Sequence, residues 1–223
     1  MPGHCTSEPQ HLVPFPAPNY VYWGGDGLYV NLTSRCSAAC EFCLRTFTWQ
    51  IFGYDLLLRP EQEPSAEQVI QAAEAELVSR RAAEIVFTGL GEPTIRLDEL
   101  LGILAWAKAR GAVTRLDTNG HGKLLHPGRQ VVSELAHAGL DVASVSLNAP
   151  DAATYDRICS PSVNGAFSAV VSFIREAVAA GVRVTATAVM LPGLDVAAIR
   201  QLALNLGAEF RARPLLTARQ GVS

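Results

Sequence analysis

Short apolar runs alternate with longer amphipathic segments along the chain from residue 27 onward. Runs rich in Val, Ile and Leu predict six strands, and the segments of helical periodicity between them predict five helices. The predicted strands are 27–32, 84–88, 113–117, 141–147, 182–189 and 209–213, and the predicted helices are 65–81, 97–110, 130–138, 166–180 and 196–206. Ser65 and Gln68 form a capping pair at the first helix, and a glycine follows each of the others as a stop signal.

Each predicted helix is long enough to carry a right-handed crossover between parallel strands. The alternation therefore predicts one α/β domain with a parallel sheet. Two closures remain open, a doubly wound sheet or part of a (β/α) barrel, and six units are too few for a full eight-stranded barrel. Residues 1–26 are rich in Pro, Gly and His and predict an N-terminal arm, with 20–23 docking onto the body. Residues 27–214 form the predicted body and 215–223 a tail.

The composition favours a folded globular domain over a disordered chain or a strongly basic nucleic-acid-binding protein. A length of 223 residues permits one sizeable core, and 49% hydrophobic against 17% charged residues is typical of globular proteins. The net charge of -3 provides no general basic field for nucleic acid, although a local basic patch stays compatible with it.

The N-terminal sequence and the spacing of the cysteines indicate in which cellular compartment the protein is expected. The N-terminus lacks a charged segment followed by an apolar run, so no signal peptide is expected. No apolar run of about eighteen residues appears, so no membrane span is expected. Three of the five cysteines are crowded together, which suits metal binding in a reducing compartment better than a disulfide framework. A cytoplasmic location follows as the expectation.

The crowded cysteines are Cys36, Cys40 and Cys43, spaced as C-x3-C-x2-C. Three thiolates this close together can hold three irons of a four-iron cluster and leave the fourth iron open to a small chelating molecule. The loop follows the first predicted strand, so it lies at the carboxyl end of the sheet, where ligands bind in both candidate folds.

A zinc site and unligated structural cysteines are the alternatives for this loop. Zinc prefers four closed ligands. The remaining cysteines, Cys5 and Cys159, have no partner at x2 spacing, whereas His4 or His121 would complete a zinc set. Cys159 by itself is more typical of a packed small residue.

Polar residues also follow each of the next four predicted strands. The loops are 88–94, 118–121, 148–150 and 190–193. Because the carboxyl ends of parallel strands meet at one edge, these loops and the cysteine loop are expected to face one site.

The residues at two of these loops resemble the radical S-adenosylmethionine (SAM) superfamily. Cys36-x3-Cys40-x2-Cys43, with Phe42 before the last cysteine, is similar to that superfamily's cysteine signature. Gly89-Leu-Gly-Glu-Pro93 is similar to its Gly-Gly-Glu motif, with Leu90 in place of the first of two adjacent glycines. The resemblance extends from the first predicted strand through the sixth.

A narrower resemblance points to the radical SAM proteins associated with the TatD nuclease family. It is carried by four strings and by the turn Leu191-Pro-Gly193; the strings are Asn31-Leu-Thr-Ser-Arg-Cys36, Gly91-Glu-Pro-Thr94, Thr118-Asn-Gly-His121 and Ser146-Leu-Asn-Ala-Pro-Asp151. This subfamily name describes a gene association and does not imply a particular reaction.

The superfamily resemblance implies a partial (β/α)6 TIM-like barrel with parallel strands and a 4Fe-4S cluster held by the three cysteines. SAM would bind the open iron and be cleaved reductively to methionine and a 5′-deoxyadenosyl radical, which abstracts hydrogen from an unidentified substrate. Glu92 would accept hydrogen bonds from the SAM ammonium, and Phe42 would pack on the adenine. The implied SAM-binding set is Phe42, Gly91, Glu92, Pro93, Thr118, Asn119, Ser146, Asn148 and Met190.

Other strand-end residues are assigned to the substrate and are expected to be catalytic: Asp117, His121 and Arg213. Arg45 and Arg213 are cations suited to a carboxylate or phosphate, and His121 is a candidate proton carrier. A flavodoxin or ferredoxin is the implied electron donor. A small-molecule substrate is expected, with protein or RNA left open. The alternative functions are a glycyl-radical-type activase acting on a partner protein and a non-catalytic iron-sulfur or metal-binding regulator.

Overall fold

Parallel strands form the centre of the protein in a computed structural model that describes residues 17–217. The strands are β1 (Val21–Gly24), β2 (Gly27–Asn31), β3 (Gln50–Ile51), β4 (Tyr54–Asp55), β5 (Ile85–Thr88), β6 (Thr114–Thr118), β7 (Val142–Ser146), β8 (Arg183–Val189) and β9 (Glu209–Arg213). Seven of them form one sheet in the order β1-β2-β5-β6-β7-β8-β9, and β3 pairs with β4 in a small hairpin. All neighbours in the large sheet are parallel except β1 and β2.

Helices fill every connection between the parallel strands. They are α1 (Ala66–Leu77), α2 (Leu97–Ala109), α3 (Gly122–Leu125), α4 (Val131–His137), α5 (Ala152–Cys159), α6 (Ala166–Ala179) and α7 (Val196–Asn205). The Ser65 hydroxyl accepts a hydrogen bond from the Gln68 amide at α1, as the capping pair predicts. The short helices α3 and α5 were not predicted, although Asp151 caps α5 by accepting from the Thr154 amide at 2.8 Å.

The sheet confirms the prediction of a mixed α/β fold with mostly parallel strands, of the partial TIM-like kind. Among the described residues, β1 and β9 each pair with a single neighbour, so the sheet keeps two edges and does not close into a full barrel. The six predicted strands are all present, with ends that shift by at most one residue.

One strand replaces part of the predicted N-terminal arm. Residues 1–16 of that arm lie outside the described residues, as do residues 218–223 of the predicted tail. Val21–Gly24 pairs antiparallel with β2 through a two-residue turn at Gly25 and Asp26, and Gly25 has φ +59°. A Gly-Asp pair between apolar runs is a hairpin signal, so this strand was readable from the sequence.

The two faces of the sheet differ in chemistry. Side chains at alternating positions, such as Phe87, Leu116 and Val145, belong to the hydrophobic core beneath the helices. The positions between them, such as Asp117 and Ser146, line a cavity on the other face. The core therefore lies between sheet and helices, and the opposite face is left for polar chemistry. Within the described residues, no helix has the length and apolar content to cross a membrane.

Candidate active site

A cavity of about 380 Å³ lies at the carboxyl ends of the parallel strands. Its walls come from the cysteine loop after β2, the loop after β5, and the ends of β6, β7, β8 and β9. The lining residues are Cys36, Cys40, Phe42, Cys43, Leu44, Thr88, Gly89, Leu90, Gly91, Glu92, Asp117, Thr118, Asn119, Ser144, Ser146, Val189, Arg211, Arg213, Pro214 and Leu216. The position agrees with the rule that ligands bind at the carboxyl ends of parallel strands.

Arg45 holds the cysteine loop in shape. Its Nη1 donates to the Ser34 carbonyl and its Nη2 to the Ala38 carbonyl, both at 3.1 Å, while Nε donates to Cys43 Sγ at 3.4 Å. The loop therefore folds around one guanidinium group. Arg45 was predicted as a cation for substrate, but the structure uses its donors within the loop.

The start of the loop is tied to α5 through the backbone. The Ala39 amide donates to the Cys159 carbonyl at 3.1 Å, and the Glu41 amide donates to the Ile158 carbonyl at 3.0 Å. These bonds place buried Cys159 behind Cys40, away from the cavity lining. The three loop thiols thus face the cavity from a wall anchored to a helix.

The donor set fits a 4Fe-4S cluster. Cys36, Cys40 and Cys43 are all free, partly exposed and on the cavity wall. Within residues 17–217, no three or more His, Cys, Asp or Glu side chains converge on a single ion position. A cluster does not need such convergence, because each thiolate ligates a different iron. Burial raises the pKa of the Cys36 thiol to about 11, so binding of a metal would release its proton.

Gly91 lets two loops of the site touch. A Cβ at this position would lie 2.2 Å from the Thr33 carbonyl oxygen and 2.6 Å from the Arg35 carbonyl oxygen, so no larger residue fits. The next amide, that of Glu92, donates to the Arg35 carbonyl at 2.8 Å. The Gly-Glu pair therefore clamps the loop after β5 against the chain that leads into Cys36.

Glu92 is 2% exposed, and its carboxylate oxygens accept hydrogen bonds mainly from neighbouring residues of the chain. Oε1 accepts from the Thr118 hydroxyl at 2.7 Å and from the Thr94 hydroxyl and amide at 2.6 and 3.1 Å. Oε2 accepts from the Asn119 amide at 2.7 Å. Burial raises the pKa of Glu92, and these donors oppose that rise. Glu92 therefore joins β6 to the loop after β5. Oε1 already accepts three hydrogen bonds, so Oε2 is the oxygen that can accept a further one from a ligand.

An ion-pair group lies on the inner face below the cavity. Arg115 contacts Glu84 at 3.0 Å and Asp117 at 3.3 Å, and its Nη2 donates to the Tyr29 hydroxyl at 3.3 Å. Asp117 lines the cavity. Burial raises the pKa of Asp117, while the positive charges of Arg115 and Arg213 oppose the rise.

Arg213 reaches the same cavity from the end of β9. Its Nη2 donates to Ser146 Oγ at 3.5 Å, and its Nε is buried without a partner among the described residues. Burial lowers the pKa of this guanidinium, which Asp117 partly counteracts.

The structure brings most of the predicted site residues to one cavity. These are Cys36, Phe42, Cys40, Cys43, Gly91, Glu92, Asp117, Thr118, Asn119, Ser146 and Arg213. Asn119 also approaches the cluster loop, since its Nδ2 lies 3.7 Å from Cys36 Sγ and donates to Ser37 Oγ at 3.0 Å.

His121 lies outside the cavity lining, and its role as a proton carrier stays a prediction. The side chain is fully buried, with Nδ1 2.9 Å from Ser37 Oγ and Nε2 2.8 Å from Tyr155 Oη. Burial lowers the pKa of His121 to about 4, so the ring stays neutral at pH 7. Its role in this structure is to join the cysteine loop to α5.

Three other predicted residues do not line the cavity. Pro93 is buried at the start of a 3-10 turn. Asn148 has φ +56°, and its Nδ2 lies 3.7 Å from Cys159 Sγ. Met190 is 47% exposed, and Val189 takes its place in the wall. The assignment of these three residues to SAM therefore stays a prediction.

Besides Thr88, two polar lining residues were missed, Ser144 and Arg211. Both were within reach of the sequence, because each lies two positions before a residue that was singled out, Ser146 or Arg213. Strand side chains repeat every two residues, so such neighbours share a face.

The fold and the site together define a class: a partial α/β barrel whose three-cysteine loop and Gly-Glu loop share one cavity at the strand ends. The family model described as the Radical SAM superfamily matches residues 30–206. The chain belongs to the radical SAM superfamily, whose members use a 4Fe-4S cluster and SAM.

Two curated relatives illustrate the likeness in sequence. A GTP 3′,8-cyclase of Corynebacterium glutamicum (strain R) is 30% identical over 195 residues, which cover 82% of this chain and 47% of the relative. The tungsten-containing aldehyde ferredoxin oxidoreductase cofactor-modifying protein of Pyrococcus furiosus is 30% identical over 125 residues, covering 54% and 30%. The chain thus spans about half the length of the first of these relatives.

Solved structures show the same fold at lower identity. SuiB of Streptococcus suis bound to S-adenosylmethionine superposes with a TM-score of 0.66 at 14% identity, covering 86% of this chain and 41% of that chain. Methylornithine synthase superposes with a TM-score of 0.57 at 14% identity, covering 87% and 56%.

Proposed function

We propose that the chain is a radical SAM enzyme that acts on a small-molecule substrate in the cavity at the strand ends. The observation that carries this proposal is the convergence of three free thiols, the Gly-Glu loop and two oppositely charged side chains, Asp117 and Arg213, on one cavity. The bound cluster and SAM would supply a 5′-deoxyadenosyl radical for hydrogen abstraction, with the reducing electron coming from a flavodoxin or ferredoxin.

The chain's own residues have distinct tasks in this proposal. Cys36, Cys40 and Cys43 hold the cluster, and Arg45 and Asn119 donate N–H groups toward the sulfurs of Cys43 and Cys36. Such hydrogen bonds adjust the reduction potential of a cluster.

The rest of the wall receives SAM and excludes water. The backbone around Gly91 and the free capacity of Glu92 Oε2 suit the SAM ammonium, and Phe42 offers an apolar ring to the adenine. Leu44 and Val189 also line the cavity and reduce the access of water, which protects a reactive intermediate.

The proposal also includes a subfamily, a cellular location and a limit on the substrate. The TatD-associated subfamily is supported by the strings around Cys36, Thr118 and Ser146. A cytoplasmic location suits oxygen-sensitive thiolate ligands in a reducing compartment. The similarity to GTP 3′,8-cyclases covers half of those proteins, so GTP is not assigned as the substrate. The activase and regulator alternatives are not favoured by the comparisons.

Anaerobic reconstitution tests the proposal. The purified full chain is loaded with iron and sulfide, iron and sulfide are quantified, and SAM is added with dithionite. We expect about four irons per chain and formation of 5′-deoxyadenosine. Cys43→Ser should lose both, whereas Cys5→Ser, a cysteine outside the family match, should retain both. A fully loaded protein that makes no 5′-deoxyadenosine would contradict the proposal.

A further inference from the structure

Arg213 differs from Arg96 and Arg115, two other largely buried arginines of the described chain. Arg96, with its side chain 15% exposed, pairs with Glu63 at 3.1 Å and Glu99 at 2.5 Å. Arg115, 16% exposed, pairs with Glu84 and Asp117. Within residues 17–217, no carboxylate lies within 4.0 Å of the Arg213 guanidinium, whose one hydrogen bond is the 3.5 Å contact to Ser146.

Arg213 lacks a close anionic partner although the cavity holds charges of both signs. Arg211 and Arg213 line the cavity together with Asp117 and Glu92, but Asp117 is paired with Arg115 and the Glu92 oxygens accept hydrogen bonds from Thr94, Thr118 and Asn119. A buried cation without a partner is costly, so an anion that enters the cavity gains more there than in water. A second negative charge on the ligand would share the cavity with Asp117 and Glu92, so a singly charged group suits the site better than a doubly charged one.

The shape of the donor also matters. A guanidinium presents a planar fork of N–H donors that matches the two oxygens of a carboxylate. On Arg213 these donors include Nε, which is buried and has no hydrogen-bond partner among the described residues. The neighbouring lining residues Ser146 and Arg211 add further donors.

We propose that Arg213 is the binding residue for a carboxylate group of the substrate. The inference rests on the proposed function and narrows its substrate class to small carboxylates. Asp117, which is paired with Arg115, also lines the cavity. Its negative charge repels the carboxylate of the ligand, so that the carboxylate is directed toward Arg213. Arg213 is exposed to the cavity at the far end of the strand order from the Gly91 loop, which leaves the Gly-Glu side to SAM.

Three probes that share one ring test the proposal: benzoate, benzamide and phenylphosphonate. Their binding to the reconstituted full chain is measured by calorimetry without SAM or reductant. We expect benzoate to bind about tenfold or more tighter than benzamide, because hydrogen bonds to charged groups exceed neutral ones by that much. Benzoate should also bind tighter than phenylphosphonate, because the second negative charge of the phosphonate would be repelled by Asp117 and Glu92 in the same cavity.

Variants locate the effect. Arg213→Gln should abolish the preference for benzoate over benzamide, and Arg213→Lys should restore part of it by returning the charge without the fork. Arg183→Gln is the matched control, since Arg183 is an exposed arginine at the opposite end of the adjacent strand, and it should keep the preference.

Thermal unfolding separates a binding residue from a structural one. Arg213→Met should unfold at the same temperature as the wild type or higher, because it removes an unpaired buried charge. Arg115→Met should unfold at a lower temperature, because it leaves Glu84 and Asp117 without their partner.

Four results would overturn the carboxylate site. They are an equal affinity for benzoate and benzamide in the wild type, a preference retained in Arg213→Gln, tighter binding of phenylphosphonate, and complete displacement of benzoate by saturating SAM. The last would assign Arg213 to SAM itself. A failure to form 5′-deoxyadenosine, measured separately, would instead remove the proposed radical SAM activity and leave the binding result in place.

Discussion

The two faces of the sheet are built from the same strands but have opposite chemistry. On β7, Ala143 and Val145 belong to the hydrophobic core, while Ser144 and Ser146 line the cavity. On β6, Leu116 is buried against the helices, while Arg115 and Asp117 form the ion pair on the inner face. A parallel strand covered by helices on both faces would be apolar throughout.

Stability and ligand binding are located on opposite faces of the sheet. Burial of the outer face drives folding, since apolar surface removed from water is the main favourable contribution. The inner face holds charged and hydroxyl groups whose desolvation is costly. A sheet keeps such a face when a ligand uses it. Changes on the two faces should therefore be distinguishable by whether they affect stability or binding.

The largest expected effect belongs to the cysteine loop at the rim of the inner face. Cys40→Ala should abolish cluster incorporation, because it removes one of three thiolates and the cavity offers no substitute on that loop. The iron content and the visible absorption of the reconstituted protein measure the loss. The thermal midpoint of the metal-free variant should stay close to that of the wild type. Full iron loading of Cys40→Ala would refute the assignment of the cluster to this loop.

Next in size is an outer-face change. Phe87 is fully buried in the core, so Phe87→Ala should lower the free energy of unfolding by about 3–5 kcal/mol through lost transfer energy and a residual cavity. Urea unfolding of the metal-free protein measures this. Thr88→Ala, one residue on and lining the cavity, is the matched control and should cost much less. Equal losses would erase the contrast between the faces.

His121 predicts a dependence of stability on pH. Its pKa is lowered by burial from 6.5 to about 4, so between these values the unfolded chain binds a proton that the folded chain does not. Stability is therefore fully present above pH 6.5 and falls by about 3 kcal/mol as the pH drops to 4. In the metal-free protein, the difference in unfolding free energy between wild type and His121→Gln should shrink over this range. A difference that stays constant with pH would contradict a neutral, buried ring.

The smallest effect is expected at a solvated ion pair on the helical side. Lys123 and Glu176 are 3.3 Å apart, with side chains 62% and 44% exposed. Lys123→Ala should change the free energy of unfolding by no more than about 0.5 kcal/mol, because solvent and salt screen such pairs. The same urea titration measures this change. A larger loss in the free energy of unfolding would show that surface ion pairs on the helical side also contribute to stability.

Local patterns were enough to predict the scaffold and the cofactor loops. Short runs rich in Val, Ile and Leu located β2 and β5 to β9, and cysteine spacing together with the Gly-Glu motif located two walls of the cavity. These signals are local, since strand periodicity and loop chemistry are set by neighbouring residues.

Distant partners explain what the sequence did not reveal. His121 was assigned to the site because it follows a strand, but its two partners, Ser37 and Tyr155, are 84 and 34 residues away. Arg45 and Arg213 look alike in the sequence, and only the fold shows that backbone carbonyls occupy the first and that the second lacks a carboxylate partner in the described residues.

The position of Arg213 has a consequence for the protein before any ligand arrives. β9 pairs only with β8 among the described residues, so it presents an edge to which another chain could add a strand. Charged side chains that point inward from an edge strand would be buried by such an addition, and they discourage it. Glu209, Arg211 and Arg213 occupy alternate positions of β9. Arg211 and Arg213, which line the cavity, therefore also disfavour the addition of a further strand at this edge.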